Sequence, residues 1–315
     1  MKKCFALLLA LALMWTATLA DTPKPISTIP FDELPPVISG QHHYLLLCVD
    51  QWSKKPTNLG NTDGIVLVTL DTRAHRIMLT SLIRDALVNR PDGKPGRVTY
   101  IAKNYSPEAL CKVLSEHFGV RIEKYILFNF SQVQEIIDYL GGVDIAVTGE
   151  EISYLKRYAI PRDSTTPRLS SPGTYHFRGH SAVIYMRIRK VGGGGDFMRT
   201  QRVRTVLSTL ADTCREISYE DARALVDVVL DNATLTNMSL SDMVAAMDQA
   251  FALRGCTMEE LRLPPDGAAH GIDYGGSVQE IDWPVCRAAM ADYLENSFLV
   301  LDEDDGFDSE FIIKD

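Results

Sequence analysis

Basic charge is scarce in this chain: 32 Lys and Arg stand against 41 Asp and Glu, a formal net charge of −9 over 315 residues. Binding nucleic acid through its backbone takes a broad basic surface that neutralises phosphates, so the charge balance argues against a nucleic-acid partner. Cysteine is sparse as well, with six residues in no zinc-ligand spacing and no C-x-x-C pair. His176 and His180 lie four apart without an H-E-x-x-H frame or a third ligand, and read as surface or cap residues. No glycine-rich segment ends in the Lys-Ser/Thr of a P-loop, and no G-x-S-x-G elbow is present. Walker-type nucleotide binding and the usual serine-hydrolase arrangement are thereby excluded. Internal repeats are absent, and the leading apolar run, Phe5 to Trp15, is shorter than the roughly 20 residues that span a bilayer.

That apolar run has its own meaning. Met1-Lys2-Lys3 is a basic start, FALLLALALMW an apolar middle, and Thr18-Leu19-Ala20 supplies small residues before Asp21. Residues 1–20 therefore read as a secretory signal peptide cleaved after Ala20, with an uncleaved membrane anchor as the alternative. Either way the body of the protein lies outside the cytoplasmic membrane. Cleavage removes Cys4 and leaves five cysteines, an odd number. Buried structural thiols are the simplest reading, and a Cys256–Cys286 bridge across a Gly/Pro-rich segment is the alternative. The rest is ordinary globular composition, 46% hydrophobic and 23% charged.

Residues 21–40 are proline-rich and aperiodic, and read as a linker. The globular part then starts with HYLLLCVD, ending at Asp50, a near-continuous apolar run of the kind a buried strand makes. GIVLVTL follows Asp63, and IMLTSLI leads to Arg84-Asp85; the DTRAHR between them suggests an antiparallel pair. Ser106-Pro107-Glu108 opens a helix that stops near Gly119. A strand from Lys124 to Phe130 leads into SQVQEIIDYLGG, where Ser131 and Gln134 are expected to form a capping box. GVDIAVT is another strand, 156–174 a surface loop, Thr200 to Ile217 an amphipathic helix, and LRLP a short strand. Further helices are expected at Leu240 to Leu253 and Pro284 to Leu294. Alternating β and α units predict an α/β fold, helices packed over a sheet, in a single domain over 41–300. The last residues, 301–315, form an acidic tail.

One segment reverses the charge balance. From Arg187 to Arg204 the chain reads RIRKVGGGGDFMRTQRVR, with six basic side chains around a four-glycine run. Guanidinium is the permanent cation best matched to phosphate, so a small anionic ligand is the simplest explanation. Asp50 and Arg84 at strand ends and Asp63 at a strand start complete a constellation of the kind that α/β folds gather at one sheet edge. Two carboxylates converging there suit a hard divalent cation such as Mg²⁺, with phosphate oxygens and water filling its shell.

LLLCVDQW, NTDGIVLVTLD, MLTSLIRDALV, FSQVQEIIDYLGGVDIAV and AVIYMRIRK…GDFMRTQRVRTVL, in this order and spacing, resemble the LytR–CpsA–Psr family from about Tyr44 to Cys214. The resemblance implies a three-layer α/β/α sandwich around a central mixed sheet, with an apolar cavity for a polyprenyl tail. It implies an extracytoplasmic phosphotransferase of the Gram-positive cell envelope that is secreted or membrane-associated. Such an enzyme moves a phosphorylated glycopolymer from a polyprenyl-pyrophosphate carrier to peptidoglycan. By position, Asp50 and Asp63 correspond to the Mg²⁺-associated carboxylates. Arg84, Arg187, Arg189, Arg199 and the pair Gln201 and Arg202 correspond to pyrophosphate-binding groups. Arg84, Asp196 and Arg199 are the expected catalytic residues, Asp196 as the candidate base. The chain departs from the family in three places: Cys48 stands where glycine is usual, Arg97-Val98-Thr99 replaces a Lys-Ile/Leu-Asn stretch, and VGGGG precedes Asp196. A lipid-pyrophosphate hydrolase and a noncatalytic lipid or glycan receptor are the rival readings.

Overall fold

The computed structural model describes residues 22–53, 58–158, 167–193 and 195–295. The expected signal segment, the acidic tail and part of the expected loop at 156–174 lie outside the described residues.

The apolar runs pair as their residue types suggest. β1 (Gln41–Val49) and β2 (Thr62–Asp71) are antiparallel, with Leu45 opposite Leu67 and Leu47 opposite Ile65. β3 (Arg76–Leu82) continues the meander. The carboxylate of Asp71 accepts from the amides of Arg73 and Ala74 at 3.1 and 2.9 Å and so shapes the turn between β2 and β3. Two short strands, β4 (Leu87–Asn89) and β5 (Pro95–Arg97), make a hairpin beyond Arg84-Asp85. Helix α1 (Pro107–Phe118) starts with Ser106 accepting from the Ala109 amide, and ends on the left-handed Gly119 (φ 74°). β6 (Lys124–Asn129) then returns parallel to β1.

The next helix, α2 (Phe130–Tyr139), begins two residues earlier than its sequence suggests. Its capping box is Asn129 with Gln132, not Ser131 with Gln134. Asn129 keeps extended backbone angles while its side chain reaches the Gln132 amide, which leaves the Ser131 hydroxyl to donate to the carbonyl of Trp52. A hairpin follows, β7 (Val143–Val147) and β8 (Gly173–Phe177), with α3 (Gly149–Tyr158) between its strands. Helix and strand thus take both ends of the stretch expected as loop. α4 (Gly179–Met186) precedes the arginine segment, and α5 (Gly195–Thr213) begins five residues before the expected Thr200. That earlier start puts Asp196 and Arg199 on its first turns. α6 (Tyr219–Asn232), capped by Ser218, has no counterpart in the sequence reading. β9 (Leu235–Thr236), α7 (Leu240–Ala252), β10 (Met258–Leu263), the hairpin β11 (Ala269–Asp273) and β12 (Ser277–Ile281), and α8 (Trp283–Glu295) complete the described chain.

The central sheet has the order β10-β3-β2-β1-β6-β9 and is mixed. α1 and α8 cover one face, while α2, α5, α6 and α7 lie over the other, so the three-layer α/β/α sandwich is observed. Each face takes alternate residues of β1. Leu45, Leu47 and Val49 are buried in the main core with Leu110, Leu114, Phe118 and Trp283. Leu46 and Cys48 point to the other face and are only half-buried. Cys256 and Cys286 are both free thiols: Cys286 is sealed in the main core, whereas Cys256 lies beside His75, with Sγ and Nδ1 3.9 Å apart. No helix among the described residues is long and apolar enough to cross a membrane.

Candidate functional site

β1, β3 and β6 run parallel to one another, so their C-terminal ends share one edge of the sheet with the start of β2. A β-bulge at that edge pairs Val49 with Thr62 and Cys48 with Gly64, and leaves Asp63 between them without a partner. Bulges re-aim side chains, and this one presents the Asp63 carboxylate to the edge. A Cβ on Gly64 would lie 3.0 Å from the Cβ of Cys48, so glycine at 64 makes room for cysteine at 48. Asp50 follows β1 directly. Arg84 and Asp85 follow β3, their carbonyls held by the amides of Thr99 and Gln279.

The arginine segment crosses this edge and closes a charged cluster. The Arg84 guanidinium donates to Asp63 Oδ1. Arg199 donates to Asp63 Oδ2 at 2.9 Å and to its carbonyl at 2.8 Å. Asp196 accepts from the Arg84 amide at 3.0 Å and lies 2.7 Å from Arg199, its neighbour one turn along α5. Arg187 reaches Asp50 at 3.3 Å, and Arg189 faces Asp85 and Asp196 at 3.7 and 3.8 Å. The link from Arg84 Nε to Asp85, at 3.8 Å, is the loosest of Arg84's contacts.

Burial sets the electrostatics. It pushes the Asp196 carboxyl above the usual range, against the opposing pull of Arg199 and the Arg84 amide. It lowers Arg199, which is 4% exposed, against Asp196 and Asp63; the guanidinium still stays charged. The Cys48 thiol is pushed up to about 12, chiefly by burial and then by Asp63, and is therefore no nucleophile. Arg84 Nε and Asp196 Oδ1 are buried and make no aligned hydrogen bond. Such groups normally find partners; Asp196 Oδ1 lies in its ion pair with Arg199, so Arg84 Nε is the donor left with capacity for an anion.

Two expected ligands stand apart. Arg202 is 2% exposed, and its guanidinium donates to Glu151 at 2.7 Å and to the carbonyls of Ile188 and Val191 at 2.9 and 3.3 Å. It braces the segment that carries Arg187 and Arg189 without facing the cluster. Gln201 is exposed and bonds to Arg204 and Glu260. Conversely, Asp85 joins the cluster through Arg189, and Phe130 seats the Arg187 guanidinium 4.4 Å from its ring centre. The sequence signal for Phe130 was its place at the end of an apolar strand, which does not distinguish a platform from core. His176 is exposed on β8 and bonds to Asp144, and His180 packs on Trp52.

Behind the cluster the second face of the sheet is hollow. A cavity of about 320 Å³ is lined by Leu46, Val66 and Phe128 from the sheet, Ile136 from α2, and Val203 and Leu207 from α5. Asp63, Arg187 and Arg199 also border it. A charged mouth on an apolar chamber fits a ligand with an anionic head and a hydrocarbon tail.

Four guanidiniums, on Arg84, Arg187, Arg189 and Arg199, face four carboxylates, on Asp50, Asp63, Asp85 and Asp196, so the cluster is formally neutral. The oxygen donors of Asp50 and Asp63 would suit a hard cation. Among the described residues no group of three or more His, Cys, Asp or Glu is placed to hold a metal.

The molecule is thus an α/β/α sandwich with one hollow face and an arginine-ringed mouth. The chain belongs to the LytR_cpsA_psr family, whose family model matches residues 32–283. It is 26% identical over 236 residues to the polyisoprenyl-teichoic acid–peptidoglycan teichoic acid transferase TagT of Bacillus subtilis strain 168, a match covering 73% of this chain and 68% of that protein. It is also 26% identical over 249 residues to biofilm regulatory protein A of Streptococcus mutans, covering 75% of this chain and 58% of the relative. The solved structure of the LytR-CPS2A-psr family protein YwtF (TagT) with bound octaprenyl pyrophosphate lipid superposes with a TM-score of 0.62 at 20% identity, over 83% of this chain and 92% of that one.

Proposed function

We propose that the protein is an extracytoplasmic phosphotransferase that moves a phosphorylated glycopolymer from a polyprenyl-pyrophosphate carrier to peptidoglycan. The observation that carries this reading is the continuity of the apolar cavity with the Asp63–Arg187–Arg199 mouth. The relative TagT supports it twice over: it is named as a teichoic acid transferase, and its solved structure as YwtF (TagT) holds octaprenyl pyrophosphate.

In this reading the prenyl tail lies along Leu46, Phe128 and Leu207, and the pyrophosphate lies on Arg84, Arg187, Arg189 and Arg199. A peptidoglycan sugar hydroxyl attacks the sugar-linked phosphorus. A new O–P bond forms, the bond from that phosphorus to the bridging oxygen breaks, and polyprenyl phosphate leaves. The preorganised guanidiniums stabilise charge that grows on the phosphoryl and bridging oxygens, where fixed donors contribute most. Asp196 accepts the hydroxyl proton; burial has raised its affinity for one. Asp50 and Asp63 would hold Mg²⁺, which supplies further neutralisation of the pyrophosphate.

The reaction is tested by presenting a labelled lipid-pyrophosphate glycan and peptidoglycan to the wild type, Arg84→Ala and Arg199→Ala. Label should pass to peptidoglycan with the wild type only, while both variants keep the wild-type circular dichroism. Wild-type turnover by both variants would remove the site assignment, and release of free glycan phosphate without acceptor would make the protein a hydrolase.

A further inference from the structure

Trp52 lies just outside the cluster described above, in a setting that its neighbours fix closely. Three hydrogen bonds hold the backbone of Gln51-Trp52-Ser53 to the junction of β6 and α2. The Phe130 amide donates to the Gln51 carbonyl at 2.9 Å, the Ser131 hydroxyl to the Trp52 carbonyl, and the Asn129 side chain to the Ser53 carbonyl at 2.9 Å. The indole packs against Phe130 and His180, with ring centres 5.4 and 5.7 Å away, yet remains 38% exposed. Arg187, bound to Asp50, has its guanidinium carbon 5.9 Å from the Trp52 ring centre. Gln51 Oε1 and His180 Nε2 are buried and have no hydrogen-bond partner.

An exposed indole on a pinned backbone is costly to leave in water and already ordered for a flat, partly apolar partner. A pyranose ring is such a partner: its axial C–H bonds form an apolar face, and its hydroxyl and acetamido groups ring the edge. The distance to Arg187 sets the register, because a sugar esterified to a phosphate held by Arg187 falls next to Trp52. We infer that Trp52 is a carbohydrate-stacking platform that selects the sugar next to the reacting phosphate. The inference rests on the pyrophosphate site proposed above and adds the residue that reads the sugar.

The test uses the full chain in detergent and two probes, a short polyprenyl pyrophosphate and the same lipid carrying one N-acetylhexosamine. The sugar should tighten wild-type binding by about three- to tenfold, the range of a single aromatic contact. Trp52→Ala should lose that gain while binding the bare lipid within about twofold of wild type, and Trp52→Phe should keep most of the gain. Arg199→Ala should weaken both probes. A third arm titrates a peptidoglycan disaccharide: if only its binding depends on Trp52, the ring reads the acceptor and its assignment to the phosphate-linked sugar is overturned. If Trp52→Ala keeps the gain from the lipid-borne sugar and also binds the disaccharide as wild type does, the platform is overturned and the pyrophosphate site survives. If the wild type binds neither lipid, both fall together.

Discussion

The two faces of the central sheet are built from similar residues and end in opposite states. On β1, Leu45, Leu47 and Val49 pack into a filled core, while Leu46 and Cys48, alternating with them, line a cavity of about 320 Å³. Helices cover both faces, but α5 does two jobs on the hollow one. Arg199 turns to Asp63 and Asp196 at the mouth, and Arg202, three residues on, turns to Glu151 and the carbonyls behind the Arg187–Arg189 segment. Filled packing stabilises the fold, whereas a hollow face can be kept only by walls stiff enough not to collapse. The Arg202–Glu151 pair is one such brace.

The contrast can be broken at several points. Arg202→Ala should cost about 3–5 kcal/mol, because it leaves buried Glu151 unpaired, and urea unfolding measures that loss directly. Leu47→Ala on the filled face should cost about 2–5 kcal/mol, while Leu46→Ala, which only enlarges an existing void, should cost about 1 kcal/mol. Equal losses from the two leucine variants would mean that the faces do not differ.

Acid should act through the filled side. Burial pushes the pKa values of His43 and His117 down to about 4; His43 meets Thr69, and His117 meets Trp283 edge to face. A depressed folded pKa gives stability that is complete above about 6.5 and is lost as pH falls toward 4, at roughly 3 kcal/mol per histidine. Unfolding free energies between pH 7 and 4 should show this slope, and His43→Gln with His117→Gln should flatten it. The smallest effect on stability is expected from Leu207→Trp, which fills the cavity. It should change unfolding by about 1 kcal/mol or less while abolishing lipid binding, as a fluorescent prenyl probe would report.

Much of this was legible in the residues. The apolar runs at Tyr44 to Asp50 and after Asp63 marked two of the strands, and the strand-end placement of Asp50, Asp63 and Arg84 pointed to the edge where they meet. The pairing of Asp196 with Arg199 follows from helical spacing. What escaped has physical causes. Arg202 and Arg199 are the same residue type on one helix, and only the helix's rotation sends one to the mouth and the other into the scaffold. The Asn129 cap was hidden because a strand and a helix meet with no intervening loop, so Ser131 looked like the boundary. The cavity was ambiguous for a deeper reason: Ile136, Val203 and Leu207 suit a solid core as well as a hollow one, and the difference lies in how α2 and α5 sit over the sheet.

The most direct measurement is binding of a polyprenyl pyrophosphate to the wild type and to Arg199→Ala, each with and without Mg²⁺. Tight, Mg²⁺-assisted binding that Arg199→Ala weakens by about a hundredfold or more is expected from the loss of a desolvated, charge-assisted contact. Binding that ignores both Arg199 and the metal, or no binding at all, would mean that the fold has kept its hollow face without the ligand proposed for it.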